Sequence, residues 1–273
     1  MTCCDYVECE PTVEARQATL KALVNKYDLH GQHCNTILPS VSYSLQQVEA
    51  PKVEPSELKA ALKWLIKDYI DFHIDDAVID VFDLPDDALR AGARTKYVVA
   101  AKEADVRSLI QIVEESGLAL DWIDILELSL KNLAQLYEEE AKGVAVVRLR
   151  GTSGFIIVER QSAMYFSRHF NLAPYENAVE ALYKSDEFII ELQRSLDYFE
   201  RHLGQVPPQN LLIAGESPTG RPIPDVLQQN FFSHVEEIDF EKALEIHNEV
   251  NVWNLPFGVA AIGAALRDGG FVV

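Results

Sequence analysis

The stretch from Asn35 to Ile125 constrains the fold most, because helix-like and strand-like runs alternate through it in a fixed order. Asn35-Thr36-Ile37-Leu38-Pro39 reads as a strand running into a turn, and Tyr43 to Val48 as an alternating strand. Pro55 opens a helix at the position where a missing N–H costs nothing. Leu58, Ala61, Leu62, Leu65, Ile66 and Tyr69 then form an apolar stripe at helical spacing. Ala77 to Phe82 is a strand that stops before Pro85. Lys96 to Ala101 is a continuous apolar strand, the pattern of one buried on both faces. Val106, Leu109, Ile110 and Val113 build another helix, closed by Gly117, and Leu118 to Ile125 is a strand. Residues 36–125 therefore read β-α-β-β-α-β, the split-βαβ or ferredoxin-like order. Ahead of this block, residues 3–9 read as a short strand and Val13 to Tyr27 as a helix.

After a linking helix over about Glu127 to Ala141, the pattern changes. Val144–Leu149, Phe155–Glu159 and Met164–Arg168 are three short strands joined by tight turns. A long helix follows over roughly Tyr175 to Leu203, with Leu182, Ile189, Leu192, Leu196, Phe199 and Leu203 on one face. Asn210 to Gly215 is a buried strand. A helix over about Ile223 to Phe231, a strand over Val235 to Ile238 and a small-residue helix over Gly258 to Leu266 complete the chain. Three meander strands followed by α-β-α-β-α is the order of one RNase H-like half of an actin-like ATPase. The expected fold class is thus α/β: an actin-like fold with an inserted ferredoxin-like subdomain and a truncated first half. The expected division is 1–141 for the shortened first half and its insertion, and 142–273 for the second half.

Charge and thiols bound the function. The 273 residues hold 24 Lys and Arg against 43 Asp and Glu, a formal net charge of −19. That field repels phosphate backbones and anionic lipid, which argues against nucleic-acid binding and direct membrane insertion. No run approaches the ~18 apolar residues of a membrane span, and the start of the chain lacks the basic and apolar segments of a signal peptide. Cys3, Cys4, Cys9 and Cys34 form no CxxC pair, and His30 and His33 complete no zinc pattern. Reduced thiols, no metal site and a cytoplasmic setting are the expectation.

Four stretches carry a resemblance. Glu57-Leu58-Lys59-Ala60-Ala61-Leu62-Lys63-Trp64 with Asp68-Tyr69-Ile70-Asp71-Phe72, Ala77-Val78-Ile79-Asp80, Gln193-Arg194-Ser195-Leu196-Asp197-Tyr198 and the Gly258 to Leu266 helix stand in the order and spacing of the PilM-type actin-like pilus-assembly family. Within it the chain is most similar to the MSHA (mannose-sensitive haemagglutinin) pilus biogenesis branch of MshI type, and more distantly to the cytoplasmic domain of GspL from type II secretion. The resemblance covers about residues 36–270. It implies a cytoplasmic scaffold of type IV pilus assembly, peripheral to the bacterial inner membrane. The implied partners are the N-terminal cytoplasmic segment of a bitopic PilN-like protein and the assembly ATPase.

Actin-like ATPases hold a nucleotide between two hairpins that present glycines to phosphate and a carboxylate to Mg²⁺. The second hairpin corresponds to Leu149 to Gly154. Gly151, Thr152, Ser153 and Gly154 offer backbone and hydroxyl donors, but the acid is absent and Arg148 and Arg150 stand beside them. The first hairpin would precede residues 3–9, where this chain has none, so either it begins late or its first half has lost those strands. On the adenine side, Ala214-Gly215-Glu216-Ser217 offers Gly215 alone in place of a double glycine. The expectation is a non-enzymatic scaffold with no catalytic residues; ATP or ADP with Mg²⁺, bound by a chain completed upstream, is the alternative. The resemblance also implies a peptide groove beside the inserted subdomain, where Trp64, Tyr69, Phe72 and Phe82 are the aromatic residues available to line it. Its acidic surroundings suit a partner segment with juxtamembrane Lys and Arg.

Overall fold

The computed structural model describes residues 1–88, 94–138, 142–173, 178–215, 227–231, 234–248 and 250–267. Contact density divides the chain into two units. One comprises Met1–Asp5, Pro85–Gly92 and Leu130–Gly263, the other Tyr6–Leu84, Ala93–Ser129 and Ala264–Val273.

The second of these begins with helix α1 (Val13–Lys26), started by Thr12, whose Oγ1 accepts the Ala15 N–H at 3.2 Å. The strand expected over residues 3–9 does not form. Tyr6 and Val7 are exposed, and among the described residues no strand pairs with this run. Strand β1 (His33–Ile37) instead pairs in parallel with β5 (Ala119–Asp124) as a two-stranded sheet. Between them, β2 (Tyr43–Glu49), β3 (Ala77–Asp83) and β4 (Thr95–Lys102) form an antiparallel sheet in the order β2-β4-β3. Helices α2 (Pro55–Leu65) and α3 (Glu103–Glu115) belong to the same stretch of chain. The insertion is therefore narrower than the four-stranded reading: the fourth strand, β5, leaves for β1. Its register is extended beyond the strand ends by Gly31 N–H to Gly117 C=O at 2.7 Å and Leu38 N–H to Asp124 C=O at 2.8 Å. Pro55 sits in the first turn of α2 as expected. Leu62 on that helix and Ile66 at its C-cap are fully buried against Ile79 of β3 and Val98 and Ala100 of β4. Gly117, at φ 92°, ends α3 in the left-handed region that glycine enters without strain.

The other unit is built on a five-stranded sheet of order β10-β9-β6-β7-β8. β6 (Val144–Arg150), β7 (Ser153–Arg160) and β8 (Ala163–Asn171) form the antiparallel meander, and β9 (Asn210–Gly215) and β10 (His234–Glu237) add on in parallel. Val144 to Val147 have no exposure, as their unbroken apolar run requires of a central strand. After helix α4 (Leu126–Ala134), helix α5 (Ala178–Arg201) buries Phe188, Leu192 and Phe199. Its Ser195 is a packing residue: Oγ donates to Glu191 C=O at 2.7 Å and accepts from Arg168 at 2.8 Å, while Arg168 also pairs with the Glu191 carboxylate at 2.6 Å. Residues 174–177, where the helix was expected to begin, and most of the helix expected over 223–231 lie outside the described residues. The last expected helix is present as Val259–Ala265.

Candidate functional site

Each unit contains one of the two regions that the sequence marks. In the sheet unit, the β6–β7 hairpin turns on two residues, because Arg150 pairs with Ser153 and Leu149 with Gly154. Gly151 has φ 59° and Thr152 a negative φ, the signs of a type II′ turn, whose first central position takes glycine. Gly154 has a different reason. A Cβ there would lie 1.9 Å from the Phe170 ring of the neighbouring strand, so the aromatic side chain occupies the space above the glycine. Gly215 ends β9 directly beside Leu149 of β6. The fold thus gathers Gly151, Thr152, Ser153, Gly154 and Gly215 at the carboxyl end of two adjacent parallel strands, the end at which open α/β sheets receive ligands. Residues 148–154 contain no carboxylate. One approaches from α5: Thr152 C=O accepts the Leu172 N–H at 2.7 Å, and Glu187 accepts the next N–H, that of Ala173, at 3.3 Å. Glu187 escaped the sequence reading because its link to the turn depends on a contact with a strand end that periodicity does not reveal. Glu216 and Ser217 lie outside the described residues.

In the other unit, a cavity of ≈ 250 Å³ opens where β2 begins, α2 exits and β4 passes into α3. Val41, Tyr43, Tyr69, Ile70 and Phe72 supply its apolar and aromatic wall, and Asp71, Lys102 and Asp105 its charges. Tyr69 and Phe72, two of the four expected groove aromatics, meet here. Tyr69 is 63% exposed, whereas Phe72 packs its other side on the Leu62–Ile79 core. Trp64 and Phe82 are not part of the lining. Trp64 is 63% exposed on α2, and Phe82 stacks on Tyr97 with ring centroids 4.9 Å apart. Lys102 Nζ stands 5.4 Å over the Phe72 ring, a cation–π arrangement. Tyr43 anchors the wall: its hydroxyl donates to Glu127 Oε2 at 2.5 Å and accepts the Leu126 N–H at 3.3 Å. Burial and the Glu127 carboxylate push this phenol far above the ordinary tyrosine range, so it remains a donor at every working pH. The sequence reading missed Tyr43, Lys102 and Asp105, which are ordinary strand and helix-start residues until the fold brings the two segment ends together.

The five-stranded sheet with its α5 layer, together with the small parallel sheet that carries an inserted antiparallel one, defines an actin-like ATPase fold. No protein-family model and no curated protein matches the chain. Among solved structures, it superposes on one titled "PilM-PilN type IV pilus biogenesis complex" with TM-score 0.73 and 20% identity, over 92% of this chain and 84% of that one. A Bacteroides thetaiotaomicron protein with an actin-like ATPase fold and unknown function gives TM-score 0.50 and 12% identity, over 92% and 80%. The cytoplasmic domain of EpsL, an inner membrane component of the type II secretion system of Vibrio cholerae, gives 13% identity over 92% and 81%, at a TM-score of 0.47 that is too low to bear on function. Among the described residues, no helix is long and apolar enough to cross a membrane.

Proposed function

We propose that the protein is a scaffold of type IV pilus assembly that holds the N-terminal cytoplasmic segment of a bitopic, PilN-like partner in the cavity beside Tyr69 and Phe72. The supporting observation is that cavity, part aromatic and part charged, in a chain whose fold is like that of a PilM–PilN complex. An extended segment docks into such a cleft by seating side chains in pockets within a polar rim. The protein would then sit at the cytoplasmic face of the inner membrane through its partner, in machinery of the MSHA type and in reach of the assembly ATPase. The division at residue 141 belongs to the same proposal.

ATP hydrolysis is not part of this reading. Gly151 and Gly154 are each accounted for by turn geometry and by the Phe170 ring, and the turn carries no acid for Mg²⁺. A second reading, in which ATP or ADP with Mg²⁺ binds, is favoured by one observation: Gly151 to Gly154 and Gly215 share one end of the sheet.

Calorimetry with the N-terminal cytoplasmic peptide of a PilN-like protein from the same genome tests the first reading. Binding in the micromolar range is expected, weakened about thirtyfold by Tyr69→Ala if that ring is an anchor worth ~2 kcal/mol. Absence of binding at about 100 μM peptide, a ceiling of roughly −5.5 kcal/mol, contradicts it.

A further inference from the structure

The surroundings of the cavity are lopsided in charge. From Asp68 to Leu89 the chain carries eight Asp residues and neither Lys nor Arg, and Tyr69 to Phe72 of that run line the cavity. Two carboxylates face it, Asp71 from this run and Asp105 from the first turn of α3. Among the described residues neither forms a hydrogen bond or an ion pair, whereas Asp80 and Asp83 of the same run are paired with Lys59 and Lys96. The cavity's own cation, Lys102, is placed over the Phe72 ring and pairs with no carboxylate among the described residues. The site therefore already holds one ammonium on an aromatic face and leaves two acids open to a second cation. Its volume, ≈ 250 Å³, lies below the ~300–1,000 Å³ of pockets that enclose whole small molecules, and suits one long side chain of a longer segment.

We propose that the cavity selects its partner segment by a single Lys or Arg side chain, seated between Asp71 and Asp105 with its stem along Tyr69, and that Lys102 opposes it as a like charge. This rests on the reading that the cavity receives a partner segment, and it names the chemistry by which that segment is chosen. The aliphatic stem covers apolar wall while the charged head meets the carboxylates at the rim. Arg has the advantage of a fork that addresses two carboxylates at once. The net charge of −19 draws such a segment in, and salt weakens the attraction.

The test titrates the isotopically labelled full chain with three capped tripeptides, acetyl-Leu-Arg-Leu-amide and its Gln and Glu counterparts, following the amide signals of Tyr69, Phe72 and Lys102 by NMR. The Arg peptide is expected to bind about tenfold tighter than the Gln peptide, with the Glu peptide weakest. Asp71→Asn with Asp105→Asn should remove that preference. Lys102→Met should strengthen the Arg peptide by about threefold, a sign that a merely structural lysine does not give. Melting curves of both variants confirm that they fold. Equal binding of all three peptides, tighter binding of the Glu peptide, or weakening by Lys102→Met overturns the proposal. The two readings separate on the PilN-like cytoplasmic peptide. If it loses affinity with Tyr69→Ala but keeps it with the Asp pair neutralised, the groove stands and cation selection falls. If neither change matters, the groove reading falls as well.

Discussion

Glu159 on β7 has no exposed surface, and its environment predicts an unusual stability profile. Oε1 accepts the Ser162 N–H at 2.6 Å, while Oε2 has no hydrogen-bond partner among the described residues. The Glu138 carboxylate is close by, accepting the Gln161 N–H at 2.9 Å, and Lys131 Nζ donates to Ser162 C=O at 3.1 Å. Desolvation, reinforced by Glu138 and opposed by the Ser162 N–H and Lys131, pushes the Glu159 carboxyl from 4.5 up to about 7. An acid with a raised pKa holds its proton more tightly folded than unfolded. The contribution of Glu159 to stability is therefore greatest at low pH and falls as pH rises from about 4.5 through about 7. At ~1.36 kcal/mol per unit, the full effect is about 3.4 kcal/mol, of which about 2.5 falls between pH 5 and 8. Glu159→Gln keeps an acceptor for Ser162 and removes the titration. Urea unfolding of both proteins at pH 5 and pH 8 measures the difference. The variant's stability relative to wild type should rise by about 2.5 kcal/mol from the lower pH to the higher. Parallel pH profiles, within about 0.5 kcal/mol of each other, refute the reasoning, since additive effects from distant groups cancel to that level.

Two further substitutions separate packing from function. Gly154→Ala drives a methyl into the Phe170 ring and should cost about 1–3 kcal/mol in thermal or urea unfolding; a neutral change would return Gly154 to a ligand-binding role. Tyr43→Phe removes the hydroxyl that Glu127 and Leu126 share and should cost about 1–3 kcal/mol, with the partner peptide bound more weakly because the wall of the cavity loses its anchor. A variant of unchanged stability would mean that the Tyr43–Glu127 bond is not formed in solution.

Local signals in the sequence translate well into structure. Pro55 and the Leu58 to Ile66 stripe locate α2 because a helix start and an apolar face are properties of a few neighbouring residues. Val144 to Val147 announce a central strand for the same reason. What fails is any inference that depends on a distant partner. β5 has the pattern of a fourth sheet strand, yet β1, more than 80 residues earlier, pairs with it. Gly154 has the type of a phosphate-loop glycine, but its need for a bare Cα comes from Phe170 across the sheet. Four aromatic residues qualified equally for the groove, and only the exit of α2 decides that Tyr69 and Phe72 reach the cavity while Phe82 turns to Tyr97. Tyr43 gave no sign of its role, because Glu127 lies 84 residues further along the chain.

The central claim is that this actin-like fold serves as a peptide-binding scaffold in which nucleotide plays no part. The most direct measurement is a calorimetric titration of the full chain with the PilN-like cytoplasmic peptide, repeated with ATP and Mg²⁺ present, and with ATP and Mg²⁺ alone. The account predicts micromolar peptide binding that is weakened about thirtyfold by Tyr69→Ala and unaffected by nucleotide, and no heat from ATP alone. Tight ATP binding dependent on Gly151 and Thr152, with the peptide silent, contradicts it.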